Sequence, residues 1–283
     1  NLSEVNFWQP SANNQFKALK PGELFLFKLH SPDNYIVGGG MFAYFSVLPI
    51  SLAWEAFETA NGARSFIEMR MQVERYREKS KSYSSDFQIG CILLEQPFFL
   101  SETDWIPIPG DWKRGIQRGR CYDLASDSGK IIFSELERAM HHSLTIQEAS
   151  NRYGEPILTL PRLGQGAFRI LVTDVYQRRC AITKERTLPA LDAAHIKPFS
   201  ENGPNETRNG ILLRRDLHAL FDQGYITITP SYIVEISRRI KEEFENGRDY
   251  YQYHGEKINL PIFSQDYPSS DFLRWHNSEI YKS

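Results

Sequence analysis

Apolar and aromatic positions in the first part of the chain fall into short runs separated by glycine, proline and polar residues. Residues 24–29 form one such run, entered through Pro21-Gly22, and read as a turn leading into a buried strand. Residues 35–46 read as a strand pair kinked at Gly38-Gly39-Gly40. Three consecutive glycines weaken a strand, which points either to close approach of a backbone or ligand, or to a bulge or barrel corner. The spacing turns helical at 51–58, with Ser51 as cap, and again at the charged stretch 65–80. Strand patterns return at 89–94 and 97–100, and 105–112 and 115–122 close the unit. Short strands, two helices and dense turn signals predict a small β-barrel with helices.

After a turn at Ser126-Asp127-Ser128-Gly129, residues 134–150 are amphipathic and predict a joining helix. The expected organisation is therefore 1–125, a helical linker at 126–154, and a second domain from 155 to 283. Within it, 170–176 predict a helix and 178–183 the first arm of a β-hairpin. Residues 188–196 predict a strand that Pro198 stops. A Gly/Pro/Asn-rich loop, a second strand from Asn209 and a short helix at 214–222, ended by Gly224, complete a strand, loop, strand, helix order. Beyond it, 225–229 alternate as a strand and 233–244 predict a charged helix.

This second domain carries the candidate chemistry. His218 and Asp222 are four apart and share one helix face, while Leu217, Leu220 and Phe221 fall towards the other. A histidine and a carboxylate so placed can share a divalent ion. His195, at the end of a strand opposite them, is free to take a proton from a water held near that ion.

The order and spacing of His195, Asn209 and His218 resemble the HNH family of ββα-metal nucleases, over about residues 155–229. The resemblance implies that His195 is the general base, that Asn209 pins the loop carrying it, and that His218 is a metal ligand on the helix. The lead-in at 158–169 and the tail with Trp275-His276-Asn277 also resemble parts of such nucleases. Two departures stand out. Where the family often has a ligand just before the base, this chain has Ala194; Asp192 shares its strand face and is the replacement in reach, with Asp222 as the other carboxylate. The Cys-x-x-Cys knuckles of many members are missing and Cys180 stands alone, so no structural zinc is expected and the module must be held by its core.

In the first domain, the opening Phe7-Trp8, the Pro21-Gly22 strand entry, the triple glycine, Ala53-Trp54, Ile89-Gly90-Cys91 and a late Pro109-Gly110-Asp111-Trp112 resemble the EVE branch of the PUA-like superfamily. That resemblance covers about residues 5–125 and implies a reader of modified or flipped bases. A flipped base loses a few kcal/mol of stacking, which an aromatic face and hydrogen bonds to its edge return. Trp8, Tyr35, Phe42, Tyr44, Trp105 and Trp112 are the pocket candidates, with Asp111 as a partner for an exocyclic amine. Most aromatics in such a barrel serve its core, and Trp54 is assigned there outright.

Composition adds limits. The 283 residues suffice for two domains, and the net charge of −2 is not that of a protein coating nucleic acid. Residues 155–229 nevertheless carry ten Lys/Arg against eight Asp/Glu, a balance that turns clearly basic once a cation neutralises Asp192 and Asp222. Phosphate contact is therefore expected from local patches: Arg162, Arg169, Arg178, Arg179, Lys197, Arg214 and Arg215. Three separated cysteines fit reduced thiols in a cytosolic protein. No apolar run reaches the length of a membrane span and the start lacks a secretory pattern, so Asn205-Glu206-Thr207 reads as loop composition and not as a glycosylation site.

Together these readings predict an α+β chain with a PUA/EVE-like barrel followed by a ββα-metal (HNH) domain. The expected activity is Mg²⁺- or Mn²⁺-dependent cutting of double-stranded DNA bearing modified cytosine. The rivals are an HNH nuclease indifferent to modification, and a non-catalytic reader with a decayed nuclease half. One HNH site cuts one strand, so double-strand cleavage needs a homodimer or two binding events.

Overall fold

The structure is a computed structural model that describes residues 3–12, 15–77, 86–113, 116, 119–148 and 164–283, with the side chains of 141–148 set aside. The first half is organised on one antiparallel sheet. Its strands are β1 (Glu4–Gln9), β2 (Leu24–Lys28), β3 (Tyr35–Pro49) and β4 (Gln88–Phe99), in the order β1-β4-β3-β2, and β5 (Ile106–Pro107) pairs with the start of β3. The alternation along β4 explains why both faces are covered. Ile89, Cys91 and Leu93 point into one core with α1 (Ile50–Phe57) and α2 (Phe66–Arg75), while Ile92 and Leu94 join Val5 and Phe42 on the other face.

Among the described residues this sheet is open, which corrects the expected closed barrel. The four short strands expected at 35–46 and 89–100 are instead two long ones. The glycines explain how. A Cβ on Gly38 would lie 2.3 Å from the Phe98 carbonyl oxygen, and one on Gly39 2.5 Å from that of Phe25. Neighbouring backbones thus close in on β3 here, and the register with β4 shifts between Gly39 and Met41. Pro97, which cannot donate to a ladder, sits opposite that irregularity, the position where a strand tolerates it.

A long helix, α3 (Asp127–Glu148), starts within the predicted turn; its Ile132, Leu136 and Ala139 pack with Ile36 and Ile106. The second half begins with α4 (Gln165–Val175), which serves both cores. Its Ala167 and Ile170 pack with the α1 and α2 side chains, and its Phe168 and Val172 pack into the larger C-terminal core. Polar ties reinforce the junction. Both Glu4 carboxylate oxygens accept from the free N–H groups at the start of α4, Gly166 at 2.7 Å and Ala167 at 2.9 Å, and Ser46 donates to Asp174 at 2.6 Å.

The C-terminal half then runs β6 (Leu191–His195), β7 (Gly210–Arg214), α5 (Arg215–Asp222), β8 (Ile226–Ile228), β9 (Val234–Ile236), α6 (Arg239–Phe244), α7 (Arg248–Tyr251) and α8 (Ser270–Glu279). β6 and β7 pair antiparallel, with His195 opposite Gly210, and α5 follows at once. Two local expectations fail. Residues 178–183 are turns and not a hairpin arm: Cys180 and Ala181 are buried, and Lys184 N–H returns to the Cys180 carbonyl at 3.0 Å. The predicted helix at 233–244 opens as β9, because Val234 and Ile236 are both buried at a spacing of two. Gly224 ends α5 with φ +77°, a left-handed conformation that glycine adopts without cost. It also lets the tail approach, since a Cβ there would meet the Ile280 carbonyl oxygen at 2.0 Å. No helix among the described residues is long and apolar enough to cross a membrane.

Candidate active site

His195 is the last residue of β6, and its surroundings define its chemistry. The ring lies flat on Phe168 of α4, with centroids 3.8 Å apart. Its Nε2 pairs with the Asn205 side-chain oxygen at 2.8 Å. An amide oxygen only accepts, so Nε2 carries the proton and Nδ1 keeps its lone pair. Burial, chiefly, and then the nearby His218 charge push the imidazolium below its usual range, against opposing pulls from Asn205 and Asp222. The ring is therefore held neutral with one basic nitrogen.

Asn209 stands immediately before β7 and is fully buried. Its side-chain oxygen accepts from Lys197 N–H, and its amide donates to the Lys197 and Pro204 carbonyls, all at 2.9 Å. Its own carbonyl accepts from Ile196 N–H at 2.9 Å. One side chain thus closes the loop that leaves His195. The tail buttresses the same loop: Thr207 donates to Asp266 at 2.9 Å, and Lys197 lies over the Trp275 ring at 5.5 Å.

His218 projects from α5 between two carboxylates. Its Nδ1 is 3.4 Å from Asp192 Oδ2 on β6, and its Nε2 is 3.2 Å from Asp222 Oδ2 one turn along the helix. Burial alone would lower the imidazolium pKa, but hydrogen bonds and charge from Asp192 and Asp222 outweigh it and lift it to about 9. Asp192 is correspondingly held below its usual range: burial works against this, and His218, Arg169 and the Ala193 N–H overcome it. Ala194 is wholly buried and offers no donor, so the strand-borne carboxylate near His218 is that of Asp192.

No group of three metal-ligating side chains is assembled among the described residues. The donors fit a divalent ion two at a time. An imidazole and a carboxylate that share one small ion at about 2.1 Å each stand about 3 Å apart, near the separations on either side of His218. The remaining positions are then those that hard cations commonly give to water and phosphate oxygens.

A cleft of about 270 Å³ opens here, lined by Asp192, His195, Phe168, Arg169 and, from α1, Glu55. The expected phosphate contacts divide around it. Arg169 reaches Asp192 at 3.4 Å and Glu55 at 3.3 Å, and Arg215 pairs with Glu55 as well. Arg214 is held in a two-pronged pair with Asp216, at 2.7 and 2.6 Å, and Arg178 is tied to Asp174 and to the Val47 carbonyl. Arg179 is exposed. Arg162 and the start of the lead-in before residue 164 lie outside the described residues.

The seven expected pocket residues do not form one pocket. Tyr35 and Trp105 meet, with centroids 6.0 Å apart, at the β5 end of the sheet. Lys28, bonded to Asn34, lies 5.3 Å over the Trp112 ring, and Asp111 beside it pairs with Arg120 at 2.7 Å and accepts from Tyr122. These four gather at one end. Phe42 is instead buried in the face opposite α1, Tyr44 lies toward Asp174 on the α4 side, and Trp8 donates to the Asn61 carbonyl at 3.1 Å.

Asn205, Phe168 and Glu55 are the contributors that sequence reasoning missed. Asn205 had a local signal, lying in the polar loop between His195 and Asn209. Glu55 had none, being 140 positions from His195 in the chain.

Comparison with known proteins agrees with this geometry over one segment. Residues 180–229 match the HNH_2 family, described as HNH endonuclease. No curated protein matches the chain. A solved structure described as "Modification dependent TagI restriction endonuclease" aligns over 99% of this chain and 76% of its own, at 13% identity and a TM-score of 0.30, too low to establish a shared fold. The matched span, from Cys180 to Thr229, contains His195, Asn209 and His218, the three residues around which the site is built.

Proposed function

We propose that the chain is a modification-dependent DNA endonuclease, in which the HNH site cuts and the N-terminal sheet unit reads a modified cytosine. The observation that carries the cutting half is that a neutral, oriented His195 shares one cleft with Asp192, a carboxylate that flanks His218, inside the segment that matches HNH endonucleases.

In the proposed reaction His195 Nδ1 takes the proton of a water, and the hydroxide attacks the scissile phosphorus. The bond from phosphorus to the 3′-oxygen breaks. Phe168 and Asn205 keep the base in one orientation and tautomer, which avoids reorganisation during the step. Asn209 holds the loop. His218, with Asp192 or Asp222, would hold a Mg²⁺ or Mn²⁺ ion, which when bound supplies positive charge to the phosphate and the leaving oxygen. His218 must be neutral to do so.

The reading half is supported by the cluster of Tyr35, Trp105, Trp112 and Asp111, which places aromatic surface and a hydrogen-bonding carboxylate at one end of the sheet. The test is cleavage of matched duplexes, unmodified, with 5-methylcytosine and with 5-hydroxymethylcytosine, in Mg²⁺, Mn²⁺ or EDTA. Metal-dependent cutting confined to modified DNA is the expected result. Equal cutting of all three would retain the nuclease and remove the reader.

A further inference from the structure

Two arginines at the edge of the cleft converge on a single carboxylate from the other half of the molecule. Glu55 Oε2 lies 3.3 Å from Arg169 Nη2, and Glu55 Oε1 accepts from Arg215 Nη2. Arg169 is on α4, Arg215 opens α5, and Glu55 is on α1, the helix that packs against the sheet unit. Glu55 and Arg169 line the cleft that holds His195 and Asp192.

A carboxylate and a phosphodiester present the same face to a guanidinium: two oxygens sharing one negative charge. Arginine forks match both, and paired arginines are a recurring way of holding a phosphate. The neighbouring basic residues are spoken for differently. Arg214 is clamped by Asp216 two positions away, and Arg178 is fastened to Asp174 and Val47 at the junction of the halves. The Arg215–Glu55 pair is accessible, with Glu55 42% and Arg215 52% exposed at the side chain, whereas Arg169 lies deeper, 17% exposed, and reaches Asp192 as well. Exposed ion pairs of this kind are weak and screened by salt, so another anion can exchange for the carboxylate.

We infer that Arg169 and Arg215 form a binding site for a backbone phosphate of the DNA, and that Glu55 occupies this site until the DNA displaces it. The inference deepens the nuclease reading and rests on it for the identity of the anion. It gives Glu55 a role in specificity: every duplex must compete with an internal anion borne on the helix layer of the N-terminal sheet. Duplexes held by additional contacts to that sheet compete best. Weakly held DNA is then rejected at the cleft.

The test is Glu55→Gln, which keeps the shape and hydrogen-bonding reach of the side chain and removes its charge. Binding of a labelled, unmodified 20-base-pair duplex is read by fluorescence anisotropy in EDTA across a salt series. The expected result is affinity about tenfold tighter than the parent at low salt, with the gain shrinking as salt rises. Glu74→Gln, which removes an exposed carboxylate on α2, should leave affinity unchanged. Arg215→Gln should weaken binding and abolish most of the gain when combined with Glu55→Gln. Equal or weaker binding by Glu55→Gln in a parent that binds and cuts DNA would overturn the phosphate site alone. Tighter binding by Glu55→Gln, with no cutting by either protein in Mn²⁺, would leave the site standing and remove the nuclease reading. If neither protein binds duplex at low salt, both fall.

Discussion

Asn209→Ala should loosen the loop that follows the base and, through it, the base itself. The buried side chain makes three hydrogen bonds at 2.9 Å, and the alanine would strip the partner from one N–H and two carbonyls inside the protein. An unpaired buried polar group costs about 1–3 kcal/mol, and some relaxation is expected, so a local cost of about 3 kcal/mol is reasonable. That corresponds to roughly 150-fold in the opening equilibrium of the 196–209 loop. Hydrogen exchange should therefore accelerate by about two orders of magnitude at Lys197 N–H, while amides in the β1-β4 ladder keep their protection. His195 should suffer with the loop, because its partner Asn205 sits in it; misplacement of a catalytic group by about 1 Å can cost on the order of 100-fold in rate. Asn209→Asp should be no better, since a carboxylate would face two carbonyl oxygens. Unchanged exchange at Lys197 together with a cleavage rate within threefold of the parent would refute the assignment of Asn209 as the loop's anchor.

Other residues make independent predictions. Burial holds His276 to about 4, below its ordinary 6.5, so the unfolded chain binds a proton that the native state refuses. The stabilisation is then complete above pH 6.5 and is lost as pH falls towards 4, by about 3 kcal/mol in all. His276→Gln should flatten the urea midpoint between pH 5 and 7, and identical profiles for variant and parent would contradict this. His218, lifted to about 9 without an ion, must release its proton to bind one, so apparent Mn²⁺ affinity should rise about tenfold per pH unit below pH 9. Calorimetry in buffers of different ionisation enthalpy reads that proton directly, and affinity independent of pH would count against His218 as a ligand. Gly224→Ala adds a Cβ at φ +77°, 2.0 Å from a backbone oxygen, and should lower stability by at least about 2 kcal/mol, visible as a drop in melting temperature.

The site was more legible than the scaffold, and the reason is the range of the interactions. Strand β6, the loop, β7 and α5 are each decided within a few residues: Pro198 stops the strand, Asn209-Gly210 restarts it, and Gly224 ends the helix. Asp192, His218 and Asp222 meet because strand alternation and helical spacing leave little choice. Contacts made by packing were hidden. Phe168 reaches His195 from α4, and Glu55 reaches Arg169 from the other half of the chain. The N-terminal sheet misled for a related reason. Glycine runs and Pro97 read as breaks, yet cross-strand pairing carried β3 and β4 through them by a register shift. Closure of a sheet into a barrel is decided by pairings between its distant edges, which no local pattern records.

The central claim, that His195 at the end of β6 and His218 on α5 form a metal-dependent phosphodiester-cutting site, is tested most directly by single-turnover cleavage of a 5-hydroxymethylcytosine duplex in Mn²⁺. Parent, His195→Ala and His218→Ala proteins of equal thermal stability would be compared. The account predicts cutting by the parent, and a loss on the order of 100-fold or more in each variant, as expected for removal of a general base or a metal ligand. Cutting by both variants at the parent's rate would place the chemistry elsewhere and contradict the account.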